Sequence, residues 1–130
     1  MDEITKTMAA SASGMAAQAA RLRLSSENIA NADTPGYRRK TVSFEETFQN
    51  GRDVRAVQTG PVRLDRAELT SIYDPSNPLS GPDGSYDGSN VNLVLEIADA
   101  REANRSYEAN LRMFDQARQM ASSLLTLLRR

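Results

Sequence analysis

The sequence predicts a mainly α-helical protein in which long N- and C-terminal helices form an antiparallel coiled-coil pair. From Asn90 to Arg130 there is neither Gly nor Pro, the residues that most often end helices. Apolar residues recur there at alternating spacings of four and three, and a similar pattern runs from about Asp2 to Ala32.

The segment between the two patterns is irregular and rich in turn residues. From Asp74 to Gly88, Pro, Gly, Ser, Asp and Asn dominate, which predicts a long Pro/Gly-rich loop that lets the chain fold back. We therefore divide the chain into an N-terminal helix (1–33), a middle region of a turn, short extended segments and a loop (34–89), and a C-terminal helix (90–130).

The C-terminal helix carries two rows of residues at helical spacing. The first row, called the seam below, consists of Leu93, Ile97, Ala100, Asn104, Tyr107, Leu111, Phe114, Arg118, Ala121, Leu125 and Leu128. The second row consists of Ala103, Ser106, Asn110, Met113, Ala117, Met120, Leu124 and Leu127. At ~100° per residue the rows lie roughly 110° apart around the helix. Because one partner helix could not cover both rows, together they predict an assembly with several neighbours. The seam alone would be as typical of a small helical bundle as of such an assembly.

Two polar residues, Asn104 and Arg118, interrupt the seam. Buried polar residues at such positions fix the register of coiled coils. The alternative is that the seam is exposed where they lie.

The N-terminal helix is predicted to face the seam with residues repeating every seven positions: Met8, Met15, Leu22 and Ile29. Small residues alternate with them, at Ala12, Ala19 and Ser26, which would let a facing helix approach closely. Because its apolar content is low and Gly14 opposes helix formation, this helix is marginal alone.

Composition argues against several functions. The net charge of −1 gives no reason to expect nucleic acid or an anionic membrane as the partner. The chain has no Cys and no His, so it lacks disulfides and the commonest general base and metal ligand. We therefore expect that the protein is not an enzyme and that it binds no metal or cofactor. There is no apolar run of the roughly 18 residues that a membrane span requires, and Asp2, Glu3 and scattered polar residues argue against a cleaved signal peptide.

In the middle region, Val42 with Phe44 and Val62 with Leu64 alternate with polar residues, which predicts brief strands or extended segments. Phe44 and Phe48 lie four residues apart. They are interpreted either as anchors that pack the middle region or as part of a recognition element.

The first helix is predicted to end between Asn31 and Tyr37. Pro35 disfavours a helical Thr34, and Gly36 can supply the positive φ of a turn. The string around this turn, which includes Asn28, Asn31, Thr34, Pro35, Gly36 and Tyr37, closely resembles the N-terminal signature of the bacterial flagellar axial proteins, which form rod, hook and hook-associated structures. Tyr73 to Asn92 and Arg105 to Asn110 follow in an order similar to that of the proximal rod members of this family.

The resemblance implies a structural subunit of the basal-body proximal rod, the helical shaft that transmits rotation in the periplasm. It implies other proximal rod subunits, copies of the same chain, the rod base adaptor and the flagellar type III export apparatus as partners, and export without a cleaved signal peptide. Phe44 to Phe48 is similar to the element by which such subunits address the export gate. The alternatives are another rod or hook subunit, or a cytosolic coiled-coil adaptor.

The expected assembly interface consists of Met8, Met15, Leu22 and Ile29 with Leu93, Ile97, Tyr107, Leu111, Phe114, Leu125 and Leu128. Met113, Ala117, Met120, Leu124 and Leu127 are expected to form a second interface.

Overall fold

The computed structural model describes residues 2–48 and 55–129. Two long helices, α1 (Asp2–Ala30) and α2 (Leu93–Leu128), pack against each other. Among the described residues between them, six short strands follow: β1 (Lys40–Thr41), β2 (Phe44–Phe48), β3 (Arg55–Thr59), β4 (Arg63–Leu64), β5 (Ser71–Tyr73) and β6 (Ser85–Asp87). The prediction of a mainly helical chain with paired terminal helices is confirmed. Within the described residues, neither helix is both long and apolar enough to span a membrane.

The contacts between the helices occur in opposite chain order. Asn28, near the end of α1, bonds to Glu96, near the start of α2, while Gly14 lies against Asn110. Between them, Arg21 lies 3.5 Å from carboxylate oxygens of α2. These contacts keep the same spacing on both helices, so the pair is in register along its length.

Small residues form the contact between the helices. The buried apolar residues include Ala17 on α1 and Ala103 and Ala117 on α2. At Gly14 an added Cβ would lie 2.8 Å from Nδ2 of Asn110. The backbones therefore approach closely, which only small side chains allow.

The face of α1 that is buried differs from the one expected. Ala12, Ala19 and Ser26 are exposed, and Met8, Met15, Leu22 and Ile29 are half-buried. The buried positions are instead Ser11, Gly14, Ala17, Leu24, Ser25 and Asn28. The expected face was chosen from the large apolar residues of α1. Instead, close packing against α2 and against the strands selects small residues, several of which are polar.

The second side of α1 is covered by β3, which pairs antiparallel with β2. Ala56 is buried there, and the backbone N–H of Val57 donates to Oγ of Ser13 at 3.0 Å. Phe44 is partly exposed, and the side chain of Phe48 lies outside the described residues. Strand β3 was not predicted, because its sequence has no strong apolar alternation.

The two remaining strand pairs are shorter. β1 pairs with β4 near the extended segments predicted around Val42 and Val62. β5 pairs with β6, so Ser85–Asp87 is a strand inside the segment predicted as one loop. A three-residue strand is too short to produce a periodic pattern, and turn residues such as Gly84, with φ of +80°, dominate the composition around it.

Candidate assembly site

The turn after α1 is fixed by local hydrogen bonds and by the β5–β6 hairpin. Nδ2 of Asn31 donates to the carbonyl of Glu27 at 2.8 Å, and Oγ1 of Thr34 donates to Oδ1 of Asn31 at 3.2 Å. Gly36 has φ of +74°, and its N–H donates to the carbonyls of Asp87 and Gly88 at 3.2 and 3.1 Å. The turn is therefore attached to the end of β6, which is a constraint that the sequence did not reveal.

Asn28 is fully buried and makes hydrogen bonds with both atoms of its amide. Its Oδ1 accepts from the Tyr37 hydroxyl at 2.8 Å and from the backbone N–H of Lys40 at 2.9 Å. Its Nδ2 donates to the carbonyl of Lys40 at 3.0 Å and to Oε1 of Glu96 at 2.9 Å. All four hydrogen bonds that an amide side chain can make are present. Asn28 thus joins α1, the chain after the turn, and α2.

Glu96 lies on the other side of this contact and is 1 % exposed. Its Oε2 accepts from Nε of Arg39 at 2.7 Å, and Nη2 of Arg39 donates to Oδ2 of Asp99 at 2.9 Å. We call Asn28, Tyr37, Arg39, Glu96 and Asp99 the polar latch. A buried carboxylate requires such partners because desolvation penalises an isolated charge.

The latch shifts the pKa values of two of its members. Burial lowers the pKa of Arg39, but its hydrogen bond to Glu96 and the surrounding carboxylates of Glu96, Asp99 and Asp65 outweigh this effect, so the pKa is raised overall. Burial raises the pKa of Tyr37 more than the nearby Lys40 ammonium lowers it. The arginine is therefore charged and the phenol neutral at any physiological pH.

Sequence reasoning missed Arg39 and Glu96. No role was assigned to either residue from the sequence. One signal was available: Glu96 is the only charged residue in the otherwise apolar run from Val94 to Ala98. A charged residue within an apolar run is more often buried with a partner than a charged residue on a polar face of a helix is.

The large apolar residues of α2 lie on both sides of the strip that α1 covers. Buried Glu96, Ala103 and Ala117 mark this strip. In the seam, Tyr107 and Phe114 are half-buried, whereas the large aliphatic residues are between 41 and 78 % exposed: Leu93, Ile97, Leu111, Leu125 and Leu128. In the second row Ala117 is buried, while the larger residues are between 39 and 64 % exposed: Met113, Met120, Leu124 and Leu127.

The polar interruptions of the seam, Asn104 and Arg118, are exposed in this chain. Among the described residues, no group of His, Cys, Asp or Glu side chains is arranged to hold a metal ion. The acidic groups of the latch are already bonded to partners in the chain. What the arrangement offers to other molecules is therefore an extended, partly apolar helical surface.

Comparison with known proteins identifies the family of this chain. Residues 8–38 match a family model described as flagella basal body rod protein, and residues 83–127 match one described as flagellar basal body rod FlgEFG protein C-terminal. The flagellar basal-body rod protein FlgC of Agrobacterium fabrum is 42 % identical over 136 aligned positions, which cover 99 % of this chain and 98 % of that protein. The chain belongs to the FlgC family. The FlgC proteins of Salmonella typhimurium and Escherichia coli O157:H7 are 33 and 32 % identical over 88 % of this chain and 90 % of theirs.

Membership of the FlgC family makes this chain a structural subunit of the flagellar basal-body rod, not an enzyme. It assembles with other rod components and serves motility. The two matched segments correspond to most of α1 with its turn and to β6 with most of α2. Of the latch residues, Asn28 and Tyr37 lie in the first segment and Glu96 and Asp99 in the second. The latch therefore connects the two segments that define the family.

Proposed function

We propose that this chain is a subunit of the proximal part of the rod and assembles, with copies of itself and other proximal rod subunits, into a helical drive shaft through its terminal helices. The proposal is carried by one observation: two rows of large apolar side chains remain exposed on α2 after α1 has packed against it. The proximal position is supported by the order of the sequence motifs from Asn28 to Asn110.

The exposed rows support contact with more than one neighbour. Fully burying a leucine side chain contributes about 1.5–3 kcal/mol, so the free energy for binding lies mainly in the residues that α1 leaves uncovered. Because the large exposed residues of the two rows lie on opposite sides of the strip that α1 covers, two different neighbours can cover them. Contacts between different surfaces of identical subunits need not close into a ring and so generate helical arrays. In the rod we expect the helices to pack as coiled coils on these rows.

Export through the flagellar type III apparatus and location in the periplasmic rod belong to the same proposal. α1 supplies one half of the helix pair and buries Ser11, Gly14 and Ala17, so removal of an N-terminal segment during export would destroy the fold. We therefore propose export with this helix retained. The low apolar content of α1 suits a chain that travels unfolded and becomes fully ordered on incorporation.

The test of the assembly surface replaces exposed seam residues with aspartate. Ile97→Asp and Leu111→Asp are expected to reach the periplasm but not to appear in purified basal bodies, because a neighbour would have to bury an unpaired charge. Gln119→Asp is the matched control, since Gln119 is exposed on the same helix but belongs to neither row. Basal bodies that contain Leu111→Asp in normal amount would contradict the proposed surface.

A second test concerns Phe44 and Phe48. We propose that these residues are recognised by the export apparatus. We also propose that the rod base adaptor is a neighbour of the assembled subunit. Phe44→Ala with Phe48→Ala is expected to reduce the amount of chain outside the cytoplasm. A purified double variant with unchanged helical circular dichroism would separate export from folding. Normal export would leave both residues as packing anchors.

A further inference from the structure

The helix pair ends unevenly at the end far from the polar latch. The Asn28–Glu96 and Gly14–Asn110 contacts are separated by the same number of residues on each helix, so Asp2 lies opposite about residue 122. α2 continues beyond this point to Leu128. We call residues 122–128 the C-terminal overhang, and they extend for about 10 Å.

The overhang is apolar and largely uncovered. Leu124, Leu125, Leu127 and Leu128 become steadily more exposed along it, from 39 to 78 %. No charged residue lies between Gln119 and Leu128, and Arg129 follows directly. An isolated helical turn with four leucines in water is unfavourable, so a partner is needed to cover it.

A groove of matching chemistry lies beside the overhang on the same helix pair. Ile4 and Thr7 of α1 line one wall, and Met113, Ala117 and Met120 of α2 line the other. We call these five residues the end groove. Its wall from Met113 to Met120 is about 10 Å long, the length of the overhang. The two methionines are each 53 % exposed, and flexible methionine side chains adapt well to an inserted apolar segment.

The rim of the end groove carries one carboxylate. Glu3 lines it, and its side chain is 89 % exposed. Lys6 lies 3.4 Å from one of its carboxylate oxygens, a surface contact that is easily exchanged. Arg129 follows the overhang directly, so its positive charge is complementary to the Glu3 carboxylate.

The overhang cannot enter the end groove of its own chain, because it continues the same straight helix away from Met120. We propose that it occupies the end groove of a second copy of this chain, with Arg129 of one copy next to Glu3 of the other. The overhang and the end groove are different surfaces, so the contact is heterologous, and it extends into an open helical array when the rotation between copies does not close a ring. The inference rests on the proposed assembly through the terminal helices and names the occupant of one surface.

Cross-linking between two single-cysteine copies tests the contact. The chain has no cysteine, so only introduced thiols react. A strain without its own gene would express Thr7→Cys and Leu127→Cys copies together, and purified basal bodies would be treated with a short bis-maleimide. A covalent dimer that contains one copy of each variant is expected. Thr7→Cys with Ser76→Cys, on the exposed loop between β5 and β6, is the control that should give none.

The outcomes separate this inference from the proposed function. If both variants are in basal bodies but Thr7→Cys yields no dimer, or is linked to a different rod component, the inference is wrong and the assembly surface still stands. If neither the variants nor the wild-type chain were found in basal bodies, the inference and the proposed function would both be wrong.

Charge reversal provides a second measurement that needs no cysteine. Glu3→Arg and Arg129→Glu alone are each expected to reduce incorporation roughly two- to fivefold, the range for a surface ion pair. Both changes in one chain should restore incorporation, because each copy then again presents opposite charges to the next. Failure of the double variant to recover would overturn the Glu3–Arg129 contact.

Discussion

Replacing Glu96 with Gln is expected to weaken the fold by removing one charge from the polar latch while keeping the side-chain volume. Glu96 accepts hydrogen bonds from Nδ2 of Asn28 at 2.9 Å and from Nε of Arg39 at 2.7 Å. Hydrogen bonds to charged groups contribute about 1.5–3 kcal/mol each. A glutamine offers one acceptor oxygen, and its NH2 group would face the other donor.

The latch cannot adjust easily to this change. If the amide of Asn28 turned over, it would lose both of its hydrogen bonds to the backbone of Lys40. Arg39 is 28 % exposed and also bonds to Asp99, so water and Asp99 retain part of its stabilisation. We therefore expect the free energy of unfolding to fall by about 2–3 kcal/mol, a large share of the stability of a small domain.

Urea unfolding of the purified chain, followed by far-ultraviolet circular dichroism, measures this loss. Glu102→Gln is the matched control: it makes the same chemical change on the same helix, beside Arg21 at 3.5 Å, at a side chain that is 67 % exposed. Its cost should be below about 0.5 kcal/mol. Equal losses in the two variants would refute the argument that burial, rather than the ion pair itself, makes Glu96 important.

Three further changes test separate contacts. Gly14→Ala should leave the urea midpoint nearly unchanged, because the close contact of its Cβ with Asn110, at 2.8 Å, offsets a helix-propensity gain of about 1 kcal/mol. In an Asn110→Ala background the same change should raise the midpoint. An unchanged midpoint there would show that the contact with Asn110 does not cause the offset. Burial raises the pKa of Tyr37, so its contribution to stability is complete below its unfolded pKa of 10.0 and declines as pH rises through the folded value. Tyr37→Phe should remove this decline. If the unfolding midpoints of the wild-type and variant chains changed equally with pH from about pH 8 to about pH 11, the raised pKa of Tyr37 would be contradicted. Gly36→Val should cost about 1–2 kcal/mol more than Gly36→Asn, because φ is +74° and Asn tolerates this region; equal melting temperatures would disprove it.

The sequence was sufficient to predict the terminal helices because long segments without Gly or Pro leave few alternatives. It also located the turn, since Pro35 and Gly36 constrain the backbone locally. The surface of α2 was predicted as two rows, and large residues of both rows are exposed in the isolated chain.

The contact between the helices was not predictable in the same way. Hydrophobicity identifies large apolar side chains, whereas α1 and α2 meet through Gly14, Ala17, Ala103 and other small residues. Asn28 illustrates the difficulty most clearly. The sequence placed it in the string around the turn, and it does lie beside the turn, but its main contacts are with Lys40 and Glu96, 12 and 68 residues away in the chain. Sequence separations of this size carry no local signal.

The two ends of the helix pair differ in what holds them together, and this difference bears on assembly. At one end, five latch residues and the β5–β6 hairpin hold α1, the turn and α2 with short hydrogen bonds. At the other, α1 contributes Ile4 and Thr7 beside an open groove, and α2 continues past the start of α1 with its leucines exposed. Helix pairs open first where buried contacts are fewest, so α1 is most easily displaced at its start. A neighbour that fills the end groove therefore stabilises the chain where its own contacts are weakest, and the latch keeps the middle region attached before that neighbour arrives.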